Sequence, residues 1–277
     1  MILNVLELLR FKDWLKNIIL FFPLVFSNNI LNHDKYEDLL ISVVLFCLSA
    51  SFIYIINDIK DVENDKLHIV KKETKPLASE KLSIFFAINL SLIILLVIII
   101  ILYFHQKIII HIIFYIILNI LYNFFLKKIA VIDLFILATG YVIRLVAWSN
   151  AIDVESSQLM ILAVFSLSFY VIALKRMGEY SYQTIGRVSL KFYSKKLLDF
   201  LIYISGLLTT IFYFLYIYLK NFQLILSFPF FLYILIRYYK LAIKDSKGEF
   251  PIDLVFKDKP LLFISTIYVT YIIINFM

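Results

Sequence analysis

The chain predicts an all-α integral membrane bundle, a single domain over residues 1–277, and three observations carry that expectation. Hydrophobic residues make up 62% of the 277, and mean hydropathy is +0.92, whereas soluble domains are about half apolar. Apolar runs near the length a helix needs to cross a bilayer, about 20 residues, recur along the chain between polar stretches. Lysine and arginine alternate between those stretches in the way that fixes orientation in a membrane.

Nine spans are expected. The first, 14–31, follows Arg10, Lys12 and Lys16 and is broken by Pro23. The second, 39–57, runs straight into the acidic stretch that begins at Asn57, and 82–104 follows that polar segment. The joins at 105–107 and at 220 are so short that 82–104 with 108–124, and 197–219 with 221–238, must form tight helical hairpins. Between these pairs, 131–150 carries Asp133 and Arg144 inside an apolar run, and 157–175 ends at Lys175 and Arg176. The last span, 261–276, follows Pro251 and Pro260. With the N-terminus in the cytoplasm and the C-terminus outside, every one of the 27 Lys and Arg except Lys35, Lys107, Lys220 and Arg144 lies on the cytoplasmic side, as the positive-inside rule requires of a multi-pass protein of the inner membrane. The three long polar segments, 58–81, 176–196 and 239–260, then share that face. The first apolar run ends in Ser27-Asn28-Asn29 rather than a small-residue cleavage site, so no cleavable signal peptide is expected.

The net charge of +7 follows from this cytoplasmic distribution and does not point to nucleic acid. Cys47 is the single cysteine, which excludes an intrachain disulfide and a cysteine metal site. His33, His68, His105 and His111 have no metal-ligand spacing, and no Walker loop or dinucleotide-binding glycine motif occurs among the five glycines.

Chemistry is expected where the second span leaves the membrane. Asp58, Asp61 and Asp65 stand at i,i+3 and i,i+4 spacing and would share a face with Asn57 if the helix continued. Carboxylates held together repel unless a cation sits among them, and hard oxygen ligands suit Mg2+, which completes its shell with water and phosphate oxygens. The same spacing also describes a solvated acidic helix end at the membrane surface. Lys71, Lys72 and Lys75 follow, placed to neutralise phosphate oxygens, although each also satisfies the orientation rule. Lys175, Arg176 and Glu179, with Arg187 and Lys191 beyond, would make a second phosphate clamp through the planar guanidinium fork; snorkelling at a helix end is the plainer reading. Arg144 lies about 16 Å deeper than Asp133, where an ionisable side chain is costly and marks either function or a structural pair with a neighbouring acid. Tyr122 and Lys127 close the fourth span, as substrate contacts or as an interface belt.

These residues resemble a known family. The stretch NDIKDVENDKLHIVKKETKPLAS, Asn57 to Ser79, is similar to the first aspartate-rich signature, N-D-x-x-D-x-x-x-D with a basic stretch and a PLAS-type end, of the UbiA superfamily of intramembrane prenyltransferases. The resemblance implies a nine-transmembrane-helix UbiA-type bundle. Four further stretches, Leu9 to Asn17, Tyr122 through Lys127 to Leu134, Ala138 to Arg144, and Leu174 to Glu179, resemble the decaprenyl-phosphate phosphoribosyltransferase branch. Aromatic prenyltransferases of the superfamily carry a second aspartate-rich motif after the sixth span. Here that segment, Lys175 to Lys196, holds Glu179 as its single acid among six basic residues. Two smaller departures are Lys75, where the family usually has Arg, and Glu80, where it usually has Gly.

The branch resemblance implies transfer of 5-phosphoribose from 5-phosphoribosyl 1-diphosphate to the phosphate of a polyprenyl phosphate lipid in the membrane. Mg2+ would be held by Asp58, Asp61 and Asp65 with Asn57 assisting, and Lys16 would act beside them. Lys75, Tyr122, Lys127, Asp133, Arg144, Lys175, Arg176 and Arg187 would bind the phosphorylated substrates, and Glu179 the ribose hydroxyls or a cation. Two rival readings stay open at this point: an aromatic-acceptor prenyltransferase using a polyprenyl diphosphate, and a transporter lined by Asp133 and Arg144. Self-association as a homo-oligomer also stays open.

Overall fold

A computed structural model describes residues 1–11, 13–14, 17, 35–67, 69–181, 188–244 and 251–275. Its helices, numbered among the described residues, are α1 (Ile2–Leu8), α2 (Lys35–Lys66), α3 (Ile69–Thr74), α4 (Ile84–Phe104), α5 (Ile109–Phe124), α6 (Ile132–Ala151), α7 (Gln158–Ser181), α8 (Lys195–Lys220), α9 (Phe228–Lys244), α10 (Pro251–Lys257) and α11 (Lys259–Asn275). Among the described residues, seven helices are long and apolar enough to cross a membrane. The expected last span is α11, apolar but 17 residues long. The expected first span, 14–31, lies outside the described residues apart from Trp14 and Asn17.

The largest difference from expectation is in the polar segments. The stretch 58–81 was expected as a loop, yet α2 continues without a break through all three aspartates to Lys66. At 1.5 Å per residue its 32 residues reach about 48 Å, well past the roughly 30 Å hydrocarbon layer. α7 likewise runs on to Ser181 and α9 to Lys244, and α10 occupies part of the third segment. Charged residues extend these helices because lysine and glutamate are good helix formers once an apolar span has nucleated the turn. Three helices that start at the aspartate end are capped there. Ser83 accepts from the Phe86 amide (3.1 Å), Ser194 from the Leu197 amide (3.1 Å), and Asp258 from the Leu261 amide (2.9 Å), each satisfying a donor left over at a helix start.

The spans pack into two apolar cores. One joins α1, α2, α4 and α5 to the second half of α6 through Ile143, Ala147 and Trp148. The other joins the first half of α6, through Leu134 and Ala138, to α7, α8, α9 and α11. α6 therefore belongs to both. α4 keeps much of its surface outward, with Leu92, Leu96 and Ile100 exposed, as a lipid-facing helix requires. Polar residues inside the spans turn their hydroxyls back onto their own helix: Ser166 onto the Leu162 carbonyl (2.8 Å), Ser205 onto Leu201 (2.6 Å) and Thr209 onto Ser205 (2.7 Å). Gly206 lets α8 approach α7, since a Cβ there would lie 3.1 Å from the Tyr170 ring.

Candidate functional site

α2 positions its acids in the register expected from their spacing, but they do not gather in one group. Lys75, in the turn after α3, places its ammonium between Asp58 Oδ1 (2.7 Å) and Asp65 Oδ2 (2.6 Å). Arg10, just past α1, donates to the same Asp58 oxygen at 2.9 Å. Asp61 turns to another cation. Lys127 donates to Asp61 Oδ2 at 3.0 Å and to Asn57 Oδ1 at 3.3 Å. Among the described residues no three His, Cys, Asp or Glu lie close enough to hold a metal together. Asp58 and Asp65 therefore stand together on the Lys75 ammonium while Asp61 meets Lys127, so lysines offset the repulsion among the three carboxylates.

Two of these contacts sit on strained backbone. Arg10 has φ 51° and Glu80 φ 58°, the left-handed region that costs a non-glycine residue about 1 kcal/mol or more. Position 80 is where the resembling family usually has glycine, and the positive φ explains why. Glu80 compensates in part by meeting Lys66 at 3.2 Å.

The wall beside this mouth is a second charged cluster, at the ends of α5 and α7 and the start of α6. Lys60 ties the two clusters by donating to the Asn123 carbonyl at 2.8 Å. Arg176 is 1% exposed and lies between Asp133 (Nε to Oδ2, 2.8 Å) and Glu179 (NH1 to Oε2, 2.8 Å), with the Tyr122 hydroxyl at 3.5 Å. Two carboxylates thus hold the Arg176 fork, and Asp133 and Glu179 are buried as its partners. Tyr193, not anticipated from the sequence, completes the cluster by donating to Asp133 Oδ1 while accepting the Val131 amide at 2.7 Å. Burial, followed by the bond to Asp133, holds its phenol well above the ordinary tyrosine range.

Arg144 belongs to neither cluster. Among the described residues it pairs with no acid; its bonds go to Asn17 Oδ1 (2.9 Å), the Gly140 carbonyl (3.0 Å) and the Tyr115 hydroxyl (2.6 Å). The Tyr115 and Tyr141 rings lie 4.6 and 5.3 Å from its guanidinium carbon. Asn17 also donates to Cys47 Sγ at 3.0 Å, and Cys47 precedes Asp58 by 11 residues on α2, about 16 Å along the axis. Arg144 thus forms a buried tie between α2, α5, α6 and the N-terminal segment, well below the aspartates. Lys175 is half-buried beside Arg176. Lys16 and Arg187 lie outside the described residues.

Of the residues not anticipated, Arg10 had been counted only as an orientation charge, although its LRFKDWLKN stretch carried a signal. Asn17, Tyr115 and Tyr193 act across long separations in the chain, where spacing says nothing.

Comparison with known proteins accords with this arrangement. The model of the UbiA prenyltransferase family matches residues 20–251. Decaprenyl-phosphate phosphoribosyltransferase of Mycolicibacterium smegmatis is 32% identical over 182 residues, which cover 64% of this chain and 57% of that protein. The enzyme of the same name from Corynebacterium glutamicum is 30% identical over 181 residues, 64% of this chain and 54% of its own. The chain thus spans a little over half the length of these relatives. Among solved structures, a UbiA homologue from Archaeoglobus fulgidus bound to GPP and Mg2+ superposes with a TM-score of 0.75 at 18% identity, covering 99% of both chains. That likeness is one of fold.

Proposed function

The chain belongs to the UbiA prenyltransferase family, and from that premise we propose that it transfers 5-phosphoribose from 5-phosphoribosyl 1-diphosphate to a polyprenyl phosphate, releasing diphosphate, at a site facing the cytoplasm of the inner membrane. The observation that carries this reading is the contrast between two adjacent clusters joined through Lys60 and Asn123. The mouth holds acids paired with lysines, and the wall beside it holds Arg176 locked by Asp133 and Glu179 where a second aspartate-rich motif would be needed for two-metal binding of a prenyl diphosphate. The relatives named decaprenyl-phosphate phosphoribosyltransferase support the same choice.

The donor set of Asp58 and Asp65, oxygen ligands already bracketing a cation-sized gap filled by the Lys75 ammonium, suits Mg2+, which takes few carboxylates and completes its shell with water and phosphate. Held there by Asp58 and Asp65, with Asp61 the further proposed ligand, Mg2+ would supply charge stabilisation for the leaving diphosphate. Lys75 and Lys127 are the cations placed to bind its phosphate oxygens. In the reaction the C1–O bond to diphosphate breaks as a bond from C1 to an oxygen of the lipid phosphate forms. That nucleophile is already anionic, so the residues position it rather than deprotonate it. Lys16, Lys175 and Arg187 remain proposed contacts to the phosphorylated substrates.

Incubating the purified protein with labelled 5-phosphoribosyl 1-diphosphate and polyprenyl phosphate tests the reading; a labelled lipid-linked phosphosugar is expected. The GPP-bound neighbour favours one alternative, prenyl transfer from a polyprenyl diphosphate to an aromatic acceptor. Product from that pair of substrates, with none from the first, would replace the proposal.

A further inference from the structure

The turn that carries Lys127 to the site is held in a conformation its own residues disfavour. After the 3-10 turn Leu126–Lys128, the chain reverses at Val131, with φ 68° and ψ −46°, and the Ile132 amide bonds back to the Ala130 carbonyl at 2.8 Å. That is a γ-turn of the rare, strained hand, and a β-branched residue is among the least suited to its centre. α6 starts at the next residue, so this turn sets the direction in which Lys127 leaves the bundle. Such strain persists only where surrounding contacts over-determine it.

The contact that does so comes from another part of the chain. Tyr193 follows the 3-10 helix Val188–Phe192 and is 5% exposed. Its hydroxyl accepts the Val131 amide at 2.7 Å and donates to Asp133 Oδ1, which in turn is fixed by Arg176 at 2.8 Å. One oxygen thus joins the centre of the turn to the locked wall. In the 3-10 turn just before it, Lys127 reaches Asp61 and Asn57.

We propose that Tyr193 is a positioning residue: its hydroxyl clamps the γ-turn at Val131 and thereby aims Lys127 at the phosphorylated substrate. The inference rests on the reading above in which Lys127 receives a phosphate, and the test separates the two. Tyr193→Phe keeps the ring and removes one oxygen. Amide hydrogen exchange in the substrate-free protein should quicken across residues 126–135 and stay unchanged in α8. KM for 5-phosphoribosyl 1-diphosphate should rise about three- to tenfold, the worth of one hydrogen bond, with kcat within about twofold. Val131→Gly placed in the Tyr193→Phe background should recover part of both effects, because glycine adopts a positive φ without strain. Unchanged exchange at 126–135 in Tyr193→Phe overturns the clamp. Faster exchange with no change in KM for any phosphorylated substrate overturns the aiming of Lys127, whereas absence of a lipid-linked phosphosugar product from the wild type overturns the reading on which it rests. If Tyr193→Phe does not fold, Val131→Gly alone decides: the clamp requires that it retain activity and exchange as slowly as the wild type at 126–135, and faster exchange there refutes the strain.

Discussion

Two sets of opposite charges stand at the same end of the bundle, and they differ in both burial and chemistry. At the mouth, the side chains of Arg10, Lys75 and Lys127 are 30%, 20% and 24% exposed, and two of the three cations are lysines. In the wall, the side chains of Arg176, Asp133 and Glu179 are 1%, 0% and 8% exposed. A lysine on a flexible stem at a wet boundary gives up one oxygen for another at little cost. An arginine gripped by two carboxylates away from water does not, since removing one partner strands buried charge. The cations of the mouth are therefore its exchangeable part, set against Asp58 and Asp65 that are themselves 5% and 4% exposed, whereas the wall is built for permanence.

Substitutions can break that contrast, and the largest effect belongs to the wall. Arg176→Met leaves Asp133 and Glu179 buried without their cation and should lower stability by about 3–5 kcal/mol, read from unfolding in detergent; a stable variant lacking only activity would move Arg176 from wall to substrate site. Asp61→Asn, by contrast, should leave stability nearly unchanged and lower the transfer rate about 100-fold, as measured by lipid-linked product per folded protein. Lys75→Gln removes the ammonium between Asp58 and Asp65 and should tighten Mn2+ binding in the absence of substrates by about fivefold, one partly buried ion pair's worth. Titration calorimetry showing weaker binding would instead make Lys75 a support of the metal site.

The smallest effect lies at the start of α11, where Asp258 accepts from Arg237 at 2.8 and 3.2 Å and caps the helix. The bond to Arg237 holds the Asp258 carboxyl below its usual 3.8. A carboxylate depressed in the folded state adds stability above its unfolded pKa and loses it as pH falls through the folded one. Melting in detergent should therefore show Asp258→Asn costing roughly 0.5–1 kcal/mol at neutral pH, a difference that shrinks as pH falls through the depressed folded-state pKa.

The same contrast marks what was legible in the chain. Spans were readable because an apolar run of bilayer length has few other uses, and the aspartate register was readable because its period is local. Lys127 could be named, but not its partner. The pairing inside the wall is not legible in the sequence, because each of its residues, seen alone, suits a phosphate. Only the fold shows that Asp133, 43 residues before Arg176, reaches it first. Arg144, readable as a substrate contact or as half of an ion pair, meets Asn17, Tyr115 and a carbonyl, partners that no charge pattern announces. A valine at the centre of a γ-turn leaves no trace in composition, and neither does the tyrosine that holds it.

The unbroken course of α2 has a mechanical corollary. Carboxylates on a loop can fold one after another around whatever ion arrives, but those on a continuous helix are graduations on a stiff ruler, spaced by the helical rise alone. Adaptation to an incoming diphosphate must then come from the tethered cations and from the ligand itself, so the interval between Asp58 and Asp65 acts as a gauge of what can seat there.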